Sequence, residues 1–427
     1  MKLWKRGVAL VLAVSACFTL LAACGQGETV GDQLALAVCI GAAPATYDPI
    51  YAEETGEQTI LNHLYENLMR LEQDENGQTV AVNGAARSVD VKENAAGTVT
   101  YTFRLRGGKW SDGVEVKAGD FVYAWQRLAD PATGSAYAPL LSIVSGYDAA
   151  RSSGDMSLVV TLDGQYDWFL REVCTSIATM PLRQDVVQRL KQKADEANAA
   201  LPEAEVVNRW WSDPTQLVTN GPYAASAGEE TSLTLTENTA YGKKLTGPTE
   251  LTFRFGDNAA AQILYDQGVV DVVWPLTEEQ MAEQKAENED WQADPVLETY
   301  SVLFNCGKLE DEQIRKALSL AIDRDALTEL VGVTAQAATG LVPPGVPEGE
   351  ADFRTTGGDL LDNDGGTYEI RCQEAVELMQ EAGYDRGSDL SAELGTLEYL
   401  YVDEGTNAAV ASALCGMWNQ CLGLNVT

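Results

Sequence analysis

Within one stretch of some thirty residues this chain changes its hydrophobic period, and that limits the folds open to it. TVTYTFRL (98–105) alternates apolar and polar residues, the two-residue period of a strand with one buried face. AGDFVYAWQRLAD (118–130) sets Phe121, Trp125 and Leu128 on one stripe at helical spacing, and Pro131 stops it. KWSDG (109–113), between them, reads as a tight turn.

The alternation continues along the chain. QLALAVCI (33–40), SLVVTL (157–162), SLTLTEN (232–238), TELTFRF (249–255) and VVDVVWPL (269–276) read as strands. GEQTILNHLYENLMRL (56–71) reads as a helix with Ile60, Leu64, Leu68 and Leu71 on one face. LRQDVVQRLKQKADEANAALPEAEVVNRWW (182–211) is helical with a break at Pro202, and NAAAQILYDQG (258–268) is a helix closed by Gly268. Such mixing predicts an α/β or α+β class. At 427 residues, two or three domains are expected.

IRKALSLAIDRDAL (314–327) crowds charges around an apolar run, and Asp323, Arg324 and Asp325 stand side by side. Ile314, Ala317, Leu318, Ala321 and Ile322 recur at helical spacing and predict a buried stripe. Asp323 is then placed to cap the next helix, with Asp325 in its first turn against the positive end of the dipole. The charges are a helix-to-helix corner rather than chemistry.

Several function classes fall away. The formal charge of −35 repels phosphates and anionic headgroups, so nucleic acid is not an expected partner. A single histidine, His63, removes histidine triads and His-rich metal sites, and a surface or packing role is expected of it. No phosphate loop, dinucleotide fingerprint or nucleophile elbow is present. DNDGG (362–366) fails as a calcium loop because Leu360 and Arg371 occupy its first and twelfth positions. EQDENGQ (72–78) fails with Asn83 in place of the last ligand. The surrounding segment, VPPGVPEGEADFRTTGGDLLDNDGGTYE (342–369), reads as a long surface loop. No catalytic residues, metal ligands or cofactor are expected, and the chain is not expected to be an enzyme.

The first residues differ from the rest. MKLWKRG is basic, VALVLAVSACFTLL is a short apolar run, and LAACGQGE follows. Leu21-Ala22-Ala23-Cys24 resembles the lipobox of bacterial lipoproteins, which implies a signal peptide over 1–23 and diacylglycerol on Cys24; an ordinary secretory signal is the alternative. Six cysteines remain: Cys39, Cys174, Cys306, Cys372, Cys415 and Cys421. No C-x-x-C pair occurs, and Cys415 and Cys421 are more than a helical turn apart, so buried free thiols are expected.

Five further stretches carry a resemblance. They are YDPIYAEETGEQTILNHLYENLMRLEQDENG (47–77), YTFRLRGGKWSDGVEVKAGDFVYAWQRLADPATGSAYAPLL (101–141), VTNGPY (218–223), TLTENTAYGKKLTGPTELTFRF (234–255) and FNCGKLEDEQIRKALSLAIDRDAL (304–327). In this order, behind a lipobox, they resemble the oligopeptide-binding proteins of ABC importers, extracytoplasmic solute-binding family 5. One departure is Lys117, where relatives usually carry a capping Thr or Ser; that cap is worth about 1 kcal/mol, and Asp120 is left to complement the dipole.

The resemblance implies an α/β, two-lobed, periplasmic-binding-protein-like clamp with an extra small domain. Lobe I would comprise 24–66 and 186–300, the small domain 67–185, and lobe II 301–427. It implies a monomeric receptor that holds a peptide between lobes and hands it to a membrane permease with its ATPases. Strand-like pairing would hold the peptide backbone, and hydrated pockets would take its side chains. Glu53 and Thr55, Tyr137 and Asn407 are the implied ligand contacts. Trp110 and Trp125 are expected to pack rather than to stack on ligand. An extracytoplasmic sensor of the same fold, binding a pheromone for instance, is the other class; nickel chelate, haem or oligosaccharide are other cargoes. In TNAAVASALCGMWNQCLGLNVT (406–427), Val410, Leu414 and Met417 line the apolar face and Gly423 caps the end. LNVT then begins a strand and stops, so an incomplete second lobe is expected, with the acidic anchor for the peptide amino terminus beyond 427.

Overall fold

The computed structural model describes residues 34–427 apart from 75–78, 145–149, 200, 203–206, 275, 277, 288–296, 349–350, 362–365, 386 and 404. The signal segment, Cys24 and most of both rejected calcium loops therefore lie outside the described residues. The chain divides into two compact units, Met1–Pro275 and Leu276–Thr427.

In the first unit the elements run β1 (Ala35–Cys39), α1 (Thr55–Leu64), β2 (Met69–Gln73), β3 (Thr79–Asn83), β4 (Ala86–Glu93), β5 (Val99–Leu105), α2 (Ala118–Ala129), β6 (Ala150–Ser152), β7 (Ser157–Leu162), α3 (Gln184–Asn198), β8 (Tyr223–Glu229), β9 (Ser232–Glu237), β10 (Glu250–Arg254), α4 (Asn258–Asp266) and β11 (Val272–Val273). One sheet has the order β11-β1-β10-β9-β8, with β1 parallel to β10 and β11 and the remainder antiparallel. The other large sheet, β4-β5-β7-β6, is antiparallel throughout, and β2 pairs with β3 in a small antiparallel sheet of its own. In β5 the alternation holds: Val99, Tyr101, Phe103 and Leu105 are buried and Arg104 is exposed.

One hydrophobic core runs through both sheets, from Ile40 to Phe253, and α2 adds Phe121, Trp125 and Leu128 to it. The sheet β4-β5-β7-β6 thus shares its core with β9 and β10 of the other sheet. The break between compact units falls at Pro275–Leu276. Trp110 and Trp125 are buried, donating to Asp120 Oδ2 at 3.0 Å and to the Thr179 carbonyl at 3.0 Å. At the start of α2, Asp120 accepts the Lys117 amide at 2.9 Å while Lys117 Nζ pairs with Asp155 at 2.9 Å, so the missing hydroxyl cap is half replaced.

The helix expected over 56–71 is shorter than its periodicity suggests. It ends at Leu64, and Tyr65 is extended (φ −125°, ψ 153°). Tertiary bonds win over the helical pattern here. Asn220 accepts the Glu66 amide at 3.1 Å and donates to its carbonyl at 2.8 Å, and the Asn67 side chain donates to Ser176 O and Thr179 Oγ1. Leu68 is still buried, but Leu71 is exposed on β2. Gly221 donates to Leu64 O at 2.9 Å, and a Cβ there would lie 2.6 Å from the Leu64 carbonyl carbon, so the NGPY turn needs glycine for this approach. The Glu66 carboxylate, 6% exposed, then gathers three of the quoted stretches: Arg106 pairs with it, Tyr241 donates to it at 2.7 Å, and Lys243 and Arg70 lie at 3.1 and 3.5 Å.

α3 stops at Asn198, before Pro202, and the helical reading does not resume over 207–209. His63 packs its ring near Tyr223 and Phe253, at 5.7 and 5.6 Å between centroids, so of the surface and packing roles it takes packing.

The second unit contains α5 (Glu278–Glu287), α6 (Glu312–Leu320), α7 (Arg324–Val331), β12 (Pro347–Glu348), β13 (Ala351–Asp352), α8 (Phe353–Gly357), α9 (Tyr368–Glu381), α10 (Gly387–Leu394) and α11 (Asn407–Leu422). The surface loop expected over 342–369 thus carries a small hairpin and one helical turn. Ile314, Ala317, Leu318, Ala321 and Ile322 are buried as the stripe predicts. Asp323 accepts the Ala326 amide at 3.3 Å and caps α7. Val410 and Leu414 face the core, Trp418 donates to Leu318 O at 2.8 Å, and Gly423 closes α11 at φ 69°.

The terminal LNVT finds a partner inside the unit. Val426 bridges Leu397 in parallel, Tyr399 donates to Thr427 O at 2.9 Å, and Thr427 donates to Leu397 O at 2.9 Å. One cysteine expectation is overturned: Cys372 on α9 and Cys421 on α11 form a disulfide, with Cα atoms 5.6 Å apart. The two are 49 residues apart, so only helix packing brings them together. Cys39 and Cys174 are buried free thiols as expected, whereas Cys306 is exposed and Cys415 half-buried.

Candidate ligand-binding site

Three of the four expected contacts meet at one cluster of two loops in the first unit, the first of which carries Glu53 and leads to Thr55 and the second Tyr137. The first loop follows the Asp-Pro turn, where Asp48 accepts the Ile50 amide and Pro49 occupies the first turn of a short 3-10 helix, Pro49–Tyr51. Asp48 is fully buried. Arg127 of α2 forks both its carboxylate oxygens, and Trp210 Nε1 donates to Oδ2 at 3.1 Å. Glu57, 4% exposed, accepts the amides of Ala45 at 2.9 Å, Thr46 at 3.2 Å and Glu54 at 3.3 Å. Two buried carboxylates therefore fix the loop from beneath.

A second loop closes over it from the side. Tyr51 donates to Thr133 O at 2.8 Å and Ser135 to Ile50 O at 2.7 Å. Tyr137 donates to Ala52 O at 2.8 Å. Gln58 of α1 reaches the carbonyls of Ala52 and Glu53 and the Tyr137 hydroxyl, each at 3.2 Å. Burial raises the Tyr137 phenol above its ordinary value, and Glu53 and Glu57 add to this against the Gln58 bond. The group is a neutral donor at physiological pH.

On this base Glu53 and Thr55 are exposed, and the Tyr137 ring is half-buried beside them. The Thr55 carbonyl is committed to Thr59 Oγ1 at 2.7 Å, but its side chain stands at the exposed first position of α1. The result is a short, braced stretch of extended and turn backbone with two exposed carboxylates, Glu53 and Glu54. It offers directional polar contacts on a surface that does not need to reorganise.

Asn407 lies in the second unit, at the first position of α11. It is half-buried, and its Nδ2 donates to Val402 O at 3.1 Å. Glu57, Gln58 and Ser135 escaped the sequence reading. Nothing in the periodicity marks Glu57 or Gln58, which occupy ordinary first-turn positions of a helix, and Ser135 sits in an unpatterned loop.

Comparison with known proteins agrees with this architecture. The chain is similar to the periplasmic oligopeptide-binding protein OppA of Escherichia coli, at 27% identity over 94% of this chain and 71% of the relative. It is similar to the dipeptide-binding protein DppE of Bacillus subtilis, at 27% identity over 100% of this chain and 76% of the relative. Among solved structures, Haemophilus influenzae OppA in complex with the peptide RPPGFSPFR superposes with a TM-score of 0.70 at 25% identity, covering 93% of this chain and 75% of that one. The family model of bacterial extracellular solute-binding proteins, family 5 Middle, matches residues 81–427, and the chain belongs to that family.

Proposed function

We propose that this protein is the extracytoplasmic solute receptor of an ABC importer, that its cargo is peptide, and that it delivers this cargo to a membrane permease and its ATPases. The observation that carries the reading is the braced Ala52–Thr55 loop with the Tyr137 hydroxyl against it, in a chain similar to oligopeptide- and dipeptide-binding proteins. Glu53, Thr55 and Tyr137 on the first unit and Asn407 on the second contact the ligand. A peptide suits such contacts because its backbone groups repeat whatever its side chains are. Cys24 carries a lipid anchor, and the protein works as a monomer that binds rather than transforms its ligand. The charge of −35 supports a partner that is neither nucleic acid nor anionic lipid.

Native mass spectrometry of ligand that co-purifies with the chain tests this. A ladder of peptide masses is the expected result. Recovery of a sugar, a haem, a metal chelate or a sterol in place of peptides overturns it.

A further inference from the structure

The second unit carries an aromatic group that its core does not consume. Tyr399 packs edge-on against the buried Trp418, with centroids 5.9 Å apart and ring planes at 74°. Its hydroxyl is 3.0 Å from that of Tyr300. Tyr401 then lies parallel to Tyr399, at 6.5 Å and 20°. Exposure rises along the series: Trp418 is 3% exposed, Tyr401 39% and Tyr300 53%. A ring seated in the core thus fixes the tilt of one that faces solvent. Val402, next to Tyr401, takes the side-chain bond of Asn407, so the open ring is one residue from a backbone group tied to the expected ligand contact.

A flat, pre-oriented ring loses little conformational freedom when something stacks on it, and offset or edge-on pairs of aromatic rings are attractive beyond their buried area. We propose that Tyr401, held by Tyr399, whose hydroxyl is in turn bonded to that of Tyr300, is a stacking subsite for an aromatic side chain of the bound peptide, and so a specificity-determining residue. The inference rests on the peptide reading above and adds to it a class of side chain.

The test uses the full chain and calorimetric titration with two peptide series, identical except that one position is scanned with Ala or Phe. In the unaltered protein the best Phe peptide binds about fivefold to tenfold tighter than its Ala partner. Tyr401→Phe keeps that ratio, and Tyr401→Ala brings it close to one while binding of the Ala peptide persists. Tyr401→Leu, which retains bulk without a ring, behaves as Tyr401→Ala does, and thermal unfolding confirms that each variant is folded. Peptide binding with no Phe preference, or a preference that survives Tyr401→Ala, overturns the subsite and leaves the peptide reading standing. Failure of every peptide to bind the unaltered protein overturns both.

Discussion

Tyr137 donates its hydroxyl to the carbonyl of Ala52 across 85 residues of sequence, at 2.8 Å. That bond, with those of Gln58, fixes the backbone that presents Glu53 and Thr55. Tyr137→Phe keeps the ring and removes the donor. Stability is expected to fall by about 1 kcal/mol in urea titration, the usual net worth of one such bond. Peptide affinity, read by calorimetry, falls severalfold because the loop loses a brace; unchanged affinity at that lower stability would place the ligand elsewhere.

Among the described residues, Arg127 is the cation paired with Asp48, which is fully buried. Arg127→Ala leaves that carboxylate without its counter-charge, and a loss of about 3–5 kcal/mol is expected. The pair Arg104–Asp90 has a similar chemistry at 3.2 Å but both partners are exposed, so Arg104→Ala changes stability little. Chemical denaturation of the two variants side by side checks the contrast.

The cysteines divide by environment. Burial raises the Cys174 thiol well above its ordinary value, so in the native protein it resists iodoacetamide while the exposed Cys306 reacts. Peptide mapping without reductant recovers Cys372 linked to Cys421. The double variant Cys372→Ala with Cys421→Ala costs about 2–4 kcal/mol, since the bond closes a loop of 49 residues in the unfolded chain.

Burial lowers the His63 pKa below its ordinary value, opposed by the bond to the Thr59 carbonyl. The unfolded chain therefore binds the proton first as pH falls. The stability that neutral His63 contributes is complete above about pH 6.5 and declines from there down to its folded pKa. His63→Phe is expected to flatten the melting temperature between pH 5 and 7 relative to the unaltered protein.

Asp323→Ala removes the cap of α7 and costs about 1 kcal/mol. Peptide affinity does not change, because the residue serves a helix corner. Lost binding at unchanged stability would return the charged trio to the ligand site.

Much of the architecture was readable where local and tertiary preferences agree. The strand over 99–105, the helix over 118–129, the buried stripe from Ile314 to Ile322 and the cap at Asp323 all follow from periodicity and chain-end chemistry. The reading failed at Glu66 and Asn67, where the helical pattern continues through Leu68. There, bonds to Asn220, Ser176 and Thr179 repay the lost helical ones, and those partners lie more than a hundred residues away.

By itself the sequence determined the class of fold, the family and the residues whose side chains turn inward, because periodicity and motif order are local records of burial. Only the tertiary structure decided that Glu53, Thr55 and Tyr137 share one loop cluster, that Glu57 and Gln58 brace it, and that Cys372 meets Cys421. It also decided that a ring seated on Trp418 orients Tyr401. Each of these is a contact between segments remote in the chain, set by how helices and sheets pack, and no spacing within a single segment encodes it.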